Sequence, residues 1–499
     1  MAAAAELERL LARLFDGQPV EIHEDGRRLP GWEDARYEVR EGAKALLHLW
    51  SSDRSLVRRV ARIVEAGDDH IRLEVERFGQ ARPGRLEIRR LDRARRPARV
   101  DRERFGERFA GLLRQQFPDE SLESFSTAAD LEHSLSGSYA RGWLRRGQEA
   151  WAVLGAGHSE TRDAIDGSLA FGLLWLDWLR SRAVAPLVAG LRLILPAGAS
   201  RLAAHRLGAL APNLAVELYE WVADEPLARR IDPADIGNIE TWLTPRRETE
   251  SVLARVAEID ARIRALAPGS IDSAVVPGTG QVAWRFRGLE FARWTGGLIR
   301  FGLTGRQSEL GEPDWDDLRR LVTSLAASRQ PGAGGNDPLY RVAKERWLES
   351  MVLADPARIE PRLDASQVYS QVPAFSASDR GVLDLLAITR EGRLAVIELK
   401  ADEDLQLACQ AVDYWLRVRW HQHEGDFERY GYFPGKTFDP APPLLYLVAP
   451  ALRFHPATRI LLRYLSPEIT ICRVGLNEGW RDGLQVIQRE WRSGSSGPA

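Results

Sequence analysis

Along the last third of the chain, apolar residues fall into short β-branched runs separated by stretches with helical spacing. Residues 381–388 and 393–400 read as two strands, and Arg390-Glu391-Gly392 between them carries the glycine that a tight hairpin turn favours. Upstream, Glu345-Arg346-Trp347-Leu348-Glu349 sits on a predicted helix that ends near Asp355-Pro356. Downstream the pattern predicts a helix over 403–422, a strand over 444–449, a helix over 455–465 and a strand over 469–474. The first hundred residues predict a helix to about Phe15 and then strands near 20–22, 45–50, 57–64 and 71–75, with turns at Asp25-Gly26 and Gly67-Asp68-Asp69. A small barrel or curved sheet suits that pattern. Residues 246–330 combine a helix over 248–266 with a Gly-rich β segment, including a turn at 275–280 and strands at 282–286 and 298–301. The run Pro331-Gly332-Ala333-Gly334-Gly335-Asn336-Asp337-Pro338 reads as a flexible tether, and the tail after Arg492 as disordered. The expected division is 1–98, 99–245, 246–330, the linker 331–338, and 339–499. The fold class is α/β multidomain with a β-rich N-terminal domain.

Strand alternation brings chemistry to the hairpin. Side chains two apart share a face, so Glu398 and Lys400 point together, and a turn centred near Glu391 sets Asp384 opposite Glu398. Two carboxylates and an ammonium then meet on strands that are otherwise almost wholly apolar. Carboxylate oxygens suit Mg²⁺, which takes its remaining ligands from waters and phosphate. Such a cation activates water and steadies the charge that builds on phosphorus, while Lys400 orients the water or holds that charge. The bland alternative is a structural Glu–Lys pair at a sheet end. Charges within buried strands are uncommon without a task, which favours the chemical reading.

An acid, a spacer, then acid-x-Lys on adjacent strands resembles the PD-(D/E)XK nuclease superfamily; Leu383 precedes Asp384 where the family often has Pro. The resemblance covers residues 339–482 and implies a restriction-endonuclease-like αβββαβ core. It implies a metal-dependent nuclease, most directly a DNA endonuclease, with Mg²⁺ (or Mn²⁺) held by Asp384, Glu398 and Glu345, and Lys400 assisting. Glu345 and Glu349 are one helical turn apart, so either could supply the helix acid, and the Glu-Arg-x-Leu pattern favours Glu345. Gln410-Ala411-Val412-Asp413-Tyr414 resembles the Gln-x-x-x-Tyr motif of the RecB-like branch, which implies that Gln410 and Tyr414 support the substrate or the metal waters. The competing class is a non-catalytic nucleic-acid-binding or scaffold protein with a nuclease-derived fold.

A fainter copy of the pattern stands upstream. Glu107-Arg108-Phe109 lies eleven residues before Pro118, as Glu345-Arg346-Trp347 lies eleven before Pro356. The strand 150–154 matches 393–397, a helix ending at Arg180 matches the one through Arg417, and 191–196 matches 444–450. In this alignment Glu398 falls on Gly155, Lys400 on Gly157, and Asp384 on Arg145 or Tyr139. The expectation is an inactive nuclease-like domain over 99–245, against the alternative of a generic α/β domain with similar elements. Gly155-Ala156-Gly157-His158-Ser159-Glu160 also imitates a dinucleotide fingerprint, and Gly157-His158-Ser159-Glu160-Thr161 a nucleophile elbow. Each lacks its closing residue and reads as a loop after a strand.

Composition narrows the setting. A 44% hydrophobic fraction with 28% charged residues describes a globular chain, and no apolar run approaches a membrane span, so a cytoplasmic location without membrane contact is expected. Two cysteines give neither a disulfide framework nor a zinc site. The net charge is −2, so affinity for nucleic acid, DNA favoured, must come from local patches. Arg89, Arg90, Arg93, Arg95 and Arg96 form one such patch, although the chain uses Arg generally where others use Lys. The long loop 425–443 carries Phe427, Tyr430, Tyr432, Phe433, Lys436 and Phe438, which either stack on bases or pack on themselves. A protein partner or a homo-oligomer is compatible with this reading.

Overall fold

The computed structural model describes the chain apart from residues 1, 16–19, 25–26, 30–34, 41–43, 51–54, 68–69, 77–83, 91–96, 131, 183–186, 223–224, 236–242, 277–278, 304–306, 334–336, 374–381 and 493–499. It is a multidomain α/β protein with two compact units, Met1–Asp101 with Gly302–Ser308, and Arg102–Phe301 with Glu309–Ala499. Among the described residues no helix is long and apolar enough to cross a membrane. Cys409 and Cys472 are both buried and unpaired.

The first unit is β-rich, as its alternation predicts. Seven antiparallel strands form one sheet. The helix Ala2–Phe15 buries Leu7, Leu11 and Leu14, spaced at about one turn, in a core with Ile22, Leu47, Leu73 and Ile88. The expected turns at Asp25-Gly26 and Asp68-Asp69 lie outside the described residues.

In the second unit, the single helix expected over 248–266 is two, Arg246–Ala254 and Ala257–Arg264, broken at Arg255-Val256. An antiparallel sheet follows, with the strands Ile271–Val276, Gln281–Phe286, Leu289–Thr295 and Leu298–Phe301 in sequence order. The run expected as a tether is tied down at its edges. On its near side the wholly buried Arg329 guanidinium donates to the carbonyls of Leu339, Val342 and Arg287, and Gly332 N–H donates to Asp482 at 2.9 Å. Both flanks of the Gly-rich run are thereby fastened, and 334–336 lie outside the described residues.

The rest of the second unit is built from two sheets of one plan. The first comprises β1 (Ser121–Ser126), β2 (Tyr139–Arg146), β3 (Glu149–Ala156), β4 (Leu187–Pro196), β5 (Ala215–Trp221) and β6 (Arg229–Ile231). The second comprises β7 (Leu363–Pro373), β8 (Val382–Thr389), β9 (Leu394–Leu399), β10 (Leu444–Pro450), β11 (Thr470–Leu476) and β12 (Val486–Trp491). In each, six strands lie in sequence order, with the first three antiparallel, the next two pairings parallel and the last strand antiparallel. Parallel neighbours require crossovers, and helices supply them. The first sheet is served by α1 (Pro97–Gln116), α2 (Ser168–Ser181) and α3 (Arg201–Leu207). The second is served by α4 (Lys344–Ala354), α5 (Leu407–His423) and α6 (Pro456–Arg463). The C-terminal order is therefore helix, three strands, helix, strand, helix, strand, with β12 added at the edge.

The crossover helices of both sheets share one apolar core, in which Leu173 and Leu176 of α2 join Ala411 and Trp415 of α5 and Leu461 of α6. At the seam Leu210 and Leu465 form an antiparallel bridge. Ala211 N–H donates to the carbonyl of Tyr464 at 2.9 Å, and Ser466 N–H to the carbonyl of Ala209 at 2.7 Å. Any antiparallel bridge exchanges such a pair of bonds, but here Leu210 stands five residues before β5 and Leu465 five before β11, so equivalent places of the two sheets meet across an approximate two-fold axis.

Candidate active site

The hairpin ladder fixes the two acids. Leu385 pairs with Ile397, so Asp384 and Glu398 are the next facing positions, as strand alternation predicts. Beyond the last ladder pair, Leu399 N–H donates to Asp384 Oδ2 at 3.0 Å, which fastens the acid to the neighbouring strand. Gly392 closes the turn at φ +95°, a region that favours glycine.

Alternation also decides the layer. Leu394 and Val396 join the core beneath α5, whereas Ala395, Ile397 and Leu399 join Trp347, Leu348 and Val352 of α4. Glu398 therefore belongs to the face toward α5, the helix that carries Gln410 and Tyr414. Asp384 shares that face with Leu386 and Ile388. Tyr414 lies close enough to Glu398 and Asp384 that burial first, and then these two carboxylates, raise its phenol.

Lys400 stands just past the end of β9, where both layers reach it. Its Nζ is 3.3 Å from Asp404, 3.9 Å from Glu398 and 4.0 Å from Glu345. On α4, Arg346 Nη1 is 2.6 Å from Glu349 and 4.0 Å from Asp384. The structure thus gathers Asp384, Glu398, Lys400, Glu345, Glu349 and Tyr414 around one end of one sheet, and Gln410 stands one turn before Tyr414 on α5.

Electrostatics follows from burial. Glu398 is driven well above the ordinary carboxylate range by burial and then by Asp384, with Lys400 pulling the other way. Asp384 is also raised by burial, against the Leu399 N–H, Arg346 and Lys400. Burial and mutual repulsion both act against two full negative charges on this pair. Burial alone would lower Lys400, but Glu345, Glu398 and Asp404 outweigh it and hold the ammonium charged. The packing around its carboxyl raises Glu345 although half of its side chain reaches solvent, and burial pushes Glu349 up to about 7 despite Arg346.

The fit to a divalent cation rests on what these groups lack. Glu398 Oε2 and Gln410 Oε1 are buried acceptors with no donor. Such atoms are costly to leave unmet, and an oxygen-seeking ion meets them. Three protein carboxylates do not converge, however. Among the described residues no group of three His, Cys, Asp or Glu side chains is arranged to hold a metal. The acid pair is Asp384 with Glu398, and Glu345, expected as a third ligand, stands beside Lys400 with its side chain half exposed. A two-carboxylate site fits Mg²⁺, which commonly keeps several waters.

Two participants were missed in the sequence. Asp404 is the acid nearest Lys400, and the run Asp402-Glu403-Asp404 directly after that lysine was the signal for it. Arg346, quoted only as part of a motif, links Glu349 to Asp384.

Other expectations resolve differently. Arg89 pairs with Glu87, and Arg90 donates to the backbone carbonyls of Arg13 and Leu14 at the end of the N-terminal helix. Both side chains thus have partners within their own unit, and Arg93, Arg95 and Arg96 lie outside the described residues. The aromatic loop packs on itself: Phe427, Tyr432 and Phe433 are buried, Tyr432 donates to the carbonyl of Thr244, and Lys436 pairs with Asp364 at 2.6 Å. Those three rings have no exposed face to offer a base. The glycine decoys are a loop after a strand, where Glu160 is clamped by Arg102 and Thr161 caps the next helix.

The upstream alignment slips by one residue. Ala152, Leu154 and Ala156 of β3 face the shared core, as Glu398 does, whereas Gly155 faces α1, where an added Cβ would lie 2.4 Å from the Phe109 ring. A one-residue shift moves every side chain to the opposite face. Leu154 pairs with Leu193 as Glu398 pairs with Leu447, and each partner stands three residues before a proline, Pro196 or Pro450. The counterpart of Glu398 is therefore Leu154, not Gly155, and that of Lys400 is Ala156, not Gly157. Across the ladder Leu154 pairs with Arg141, so Arg141 takes the place of Asp384, rather than Arg145 or Tyr139. Arg141 is buried against the Trp175 ring.

Neither the comparison with protein-family models nor that with curated proteins finds a match for this chain.

Proposed function

We propose that the chain is a metal-dependent phosphodiesterase acting on nucleic acid, most directly a DNA endonuclease, with its active centre at Asp384, Glu398 and Lys400. The observation that carries this reading is the pair of facing carboxylates at a strand end, Glu398 buried and Asp384 half-buried, beside a charged lysine, with Glu398 Oε2 meeting no N–H or hydroxyl among the described residues. Buried charge at this density is costly for a structural hairpin and useful for a site that binds a cation and a phosphate.

Asp384 and Glu398 would hold Mg²⁺ or Mn²⁺, and the ion would supply Lewis acidity toward a phosphoryl oxygen and a lower pKa for water. Asp384 is held in place by the Leu399 N–H. Lys400, kept protonated by Glu345, Glu398 and Asp404, acts as a fixed cation toward a non-bridging phosphate oxygen and not as a base. Glu345 and Asp404 set the direction of that ammonium. Gln410 and Tyr414 form the wall on the α5 side. The preference for DNA comes from the resemblance of the motif to PD-(D/E)XK nucleases.

One observation favours the scaffold alternative: the described residues hold no three-carboxylate set. The readings separate on calorimetry of Mn²⁺ with wild type and Glu398→Gln. The hydrolase reading expects saturable uptake that Glu398→Gln abolishes, followed by cation-dependent cleavage of DNA. A scaffold takes up no ion there and cleaves nothing.

A further inference from the structure

The second unit carries two sheets of one plan, joined across an approximate dyad by the Leu210–Leu465 bridge and its reciprocal hydrogen bonds. An isologous pairing of this kind gives each side the same relation to anything that lies on the axis. Duplex DNA has local two-fold axes of its own, so two sites related by a dyad would address its two strands. Here only one of the two places is chemically equipped.

The contrast is complete at the three positions that matter. Where the C-terminal sheet has Asp384, Glu398 and Lys400, the upstream sheet has Arg141, Leu154 and Ala156. None of these three upstream residues is a carboxylate. Arg141 adds a repulsion: the residue is only 5% exposed, and its Nη1 meets no acceptor among the described residues. The acid nearest this charge, Asp130, is bound by His133 through both of its oxygens, and a buried guanidinium at this position repels a divalent cation. Leu154 and Ala156 are themselves part of the apolar core, so their loss of polarity is built into the packing.

We infer that the chain incises one strand of a duplex per binding event, with one divalent ion bound per chain at the C-terminal centre and none at its upstream counterpart. This inference rests on the hydrolytic reading of Asp384, Glu398 and Lys400. In the step itself, the oxygen of one water forms a bond to phosphorus and one P–O ester bond breaks. The water's hydroxyl remains on the phosphate monoester, its other proton ends on the leaving oxygen, and no electron acceptor is needed. Without a second equipped centre, the opposite strand stays intact until an independent event reaches it.

The test uses the full chain with a supercoiled plasmid in Mn²⁺ or Mg²⁺, alongside single-stranded DNA and RNA, with calorimetric titration of Mn²⁺ on the same preparation. The expected result is nearly complete conversion to open circle before linear product accumulates, with one Mn²⁺ per chain and none in Glu398→Gln. Linear product that rises together with open circle from the start, or two ions per chain, overturns the single-strand inference and leaves the hydrolytic reading standing. Cleavage of single-stranded polymer with the plasmid left closed does the same. No cleavage of any substrate and no ion uptake overturn both.

Discussion

Asp384 accepts the backbone N–H of Leu399 at 3.0 Å, and by this bond the acid of one strand is held in register with the acid-x-Lys segment of the next. The carboxylate therefore has a structural task as well as a charge. Asn retains an acceptor oxygen and removes the charge, whereas Ala removes both. Asp384→Asn is expected to keep the wild-type melting temperature or exceed it while losing hydrolysis. Asp384→Ala is expected to be less stable than Asp384→Asn by roughly 1–3 kcal/mol, the usual cost of leaving a buried donor unmet. Thermal or urea unfolding of the two variants, compared directly, checks this.

Cation uptake should depend on pH with a definite sign. Burial raises both Asp384 and Glu398, so protons compete with a cation for these carboxylates more strongly than at ordinary acids. Affinity for Mn²⁺ is expected to rise with pH from the acid side, with proton release of up to about one per ion. Titration in two buffers of different ionisation enthalpy measures that release. Affinity that does not vary between pH 5 and about 8 would show that these carboxylates are not the ligands.

Glu349 makes a separate prediction about stability. Its pKa lies near 7 in the folded chain because of burial, above the unfolded value of 4.5. A carboxyl raised on folding binds more protons when native, so its contribution to stability is present at low pH and is lost as pH rises from the unfolded to the folded value. That loss amounts to roughly 3 kcal/mol at most. Glu349→Gln should flatten part of the decline in melting temperature between pH 5 and about 7 in chelator. An identical slope in wild type and variant would contradict the assignment.

Much of the hairpin was legible because period-two alternation and a glycine turn determine which residues face one another. Asp384 opposite Glu398, with Lys400 on the same face, needed no tertiary information. The upstream alignment failed for the same physical reason that makes strands readable. In an apolar run such as Ala152-Val153-Leu154-Gly155-Ala156, nothing polar marks which face is which. The near contact of Phe109 with Gly155 decides the face, and it is a long-range packing fact. Asp404 escaped because a loop acid finds its partner through the path of the chain, which periodicity does not encode. The fastening of the chain on either side of the Gly-rich run escaped likewise, since Arg329 reaches its carbonyl partners only in the folded chain.

The seam between the two sheets is crossed by two ion pairs of different worth. Arg206 donates to both oxygens of Asp413, at 2.8 and 2.7 Å, and both side chains are buried. Arg463 donates to Asp177 at 2.9 Å from an exposed position. The arginines are not at equivalent places, since Arg206 stands four residues before Leu210 and Arg463 two before Leu465. Removing one partner of a buried pair leaves the other charge uncompensated. Arg206→Ala is therefore expected to cost about 3–5 kcal/mol, and Arg463→Ala about 1 kcal/mol or less. Urea unfolding of both variants and of the Arg206→Ala, Asp413→Ala double variant measures the coupling.

The most direct test of the central claim is hydrolysis of plasmid, single-stranded DNA and RNA by wild type and Glu398→Gln, in Mg²⁺ or Mn²⁺ and in chelator. The account predicts cleavage by wild type only with the cation, and a loss on the order of 10²–10³-fold in a Glu398→Gln variant that melts no lower than wild type. Cleavage that survives both the substitution and the chelator, or a wild type that cleaves nothing in either metal, would contradict it.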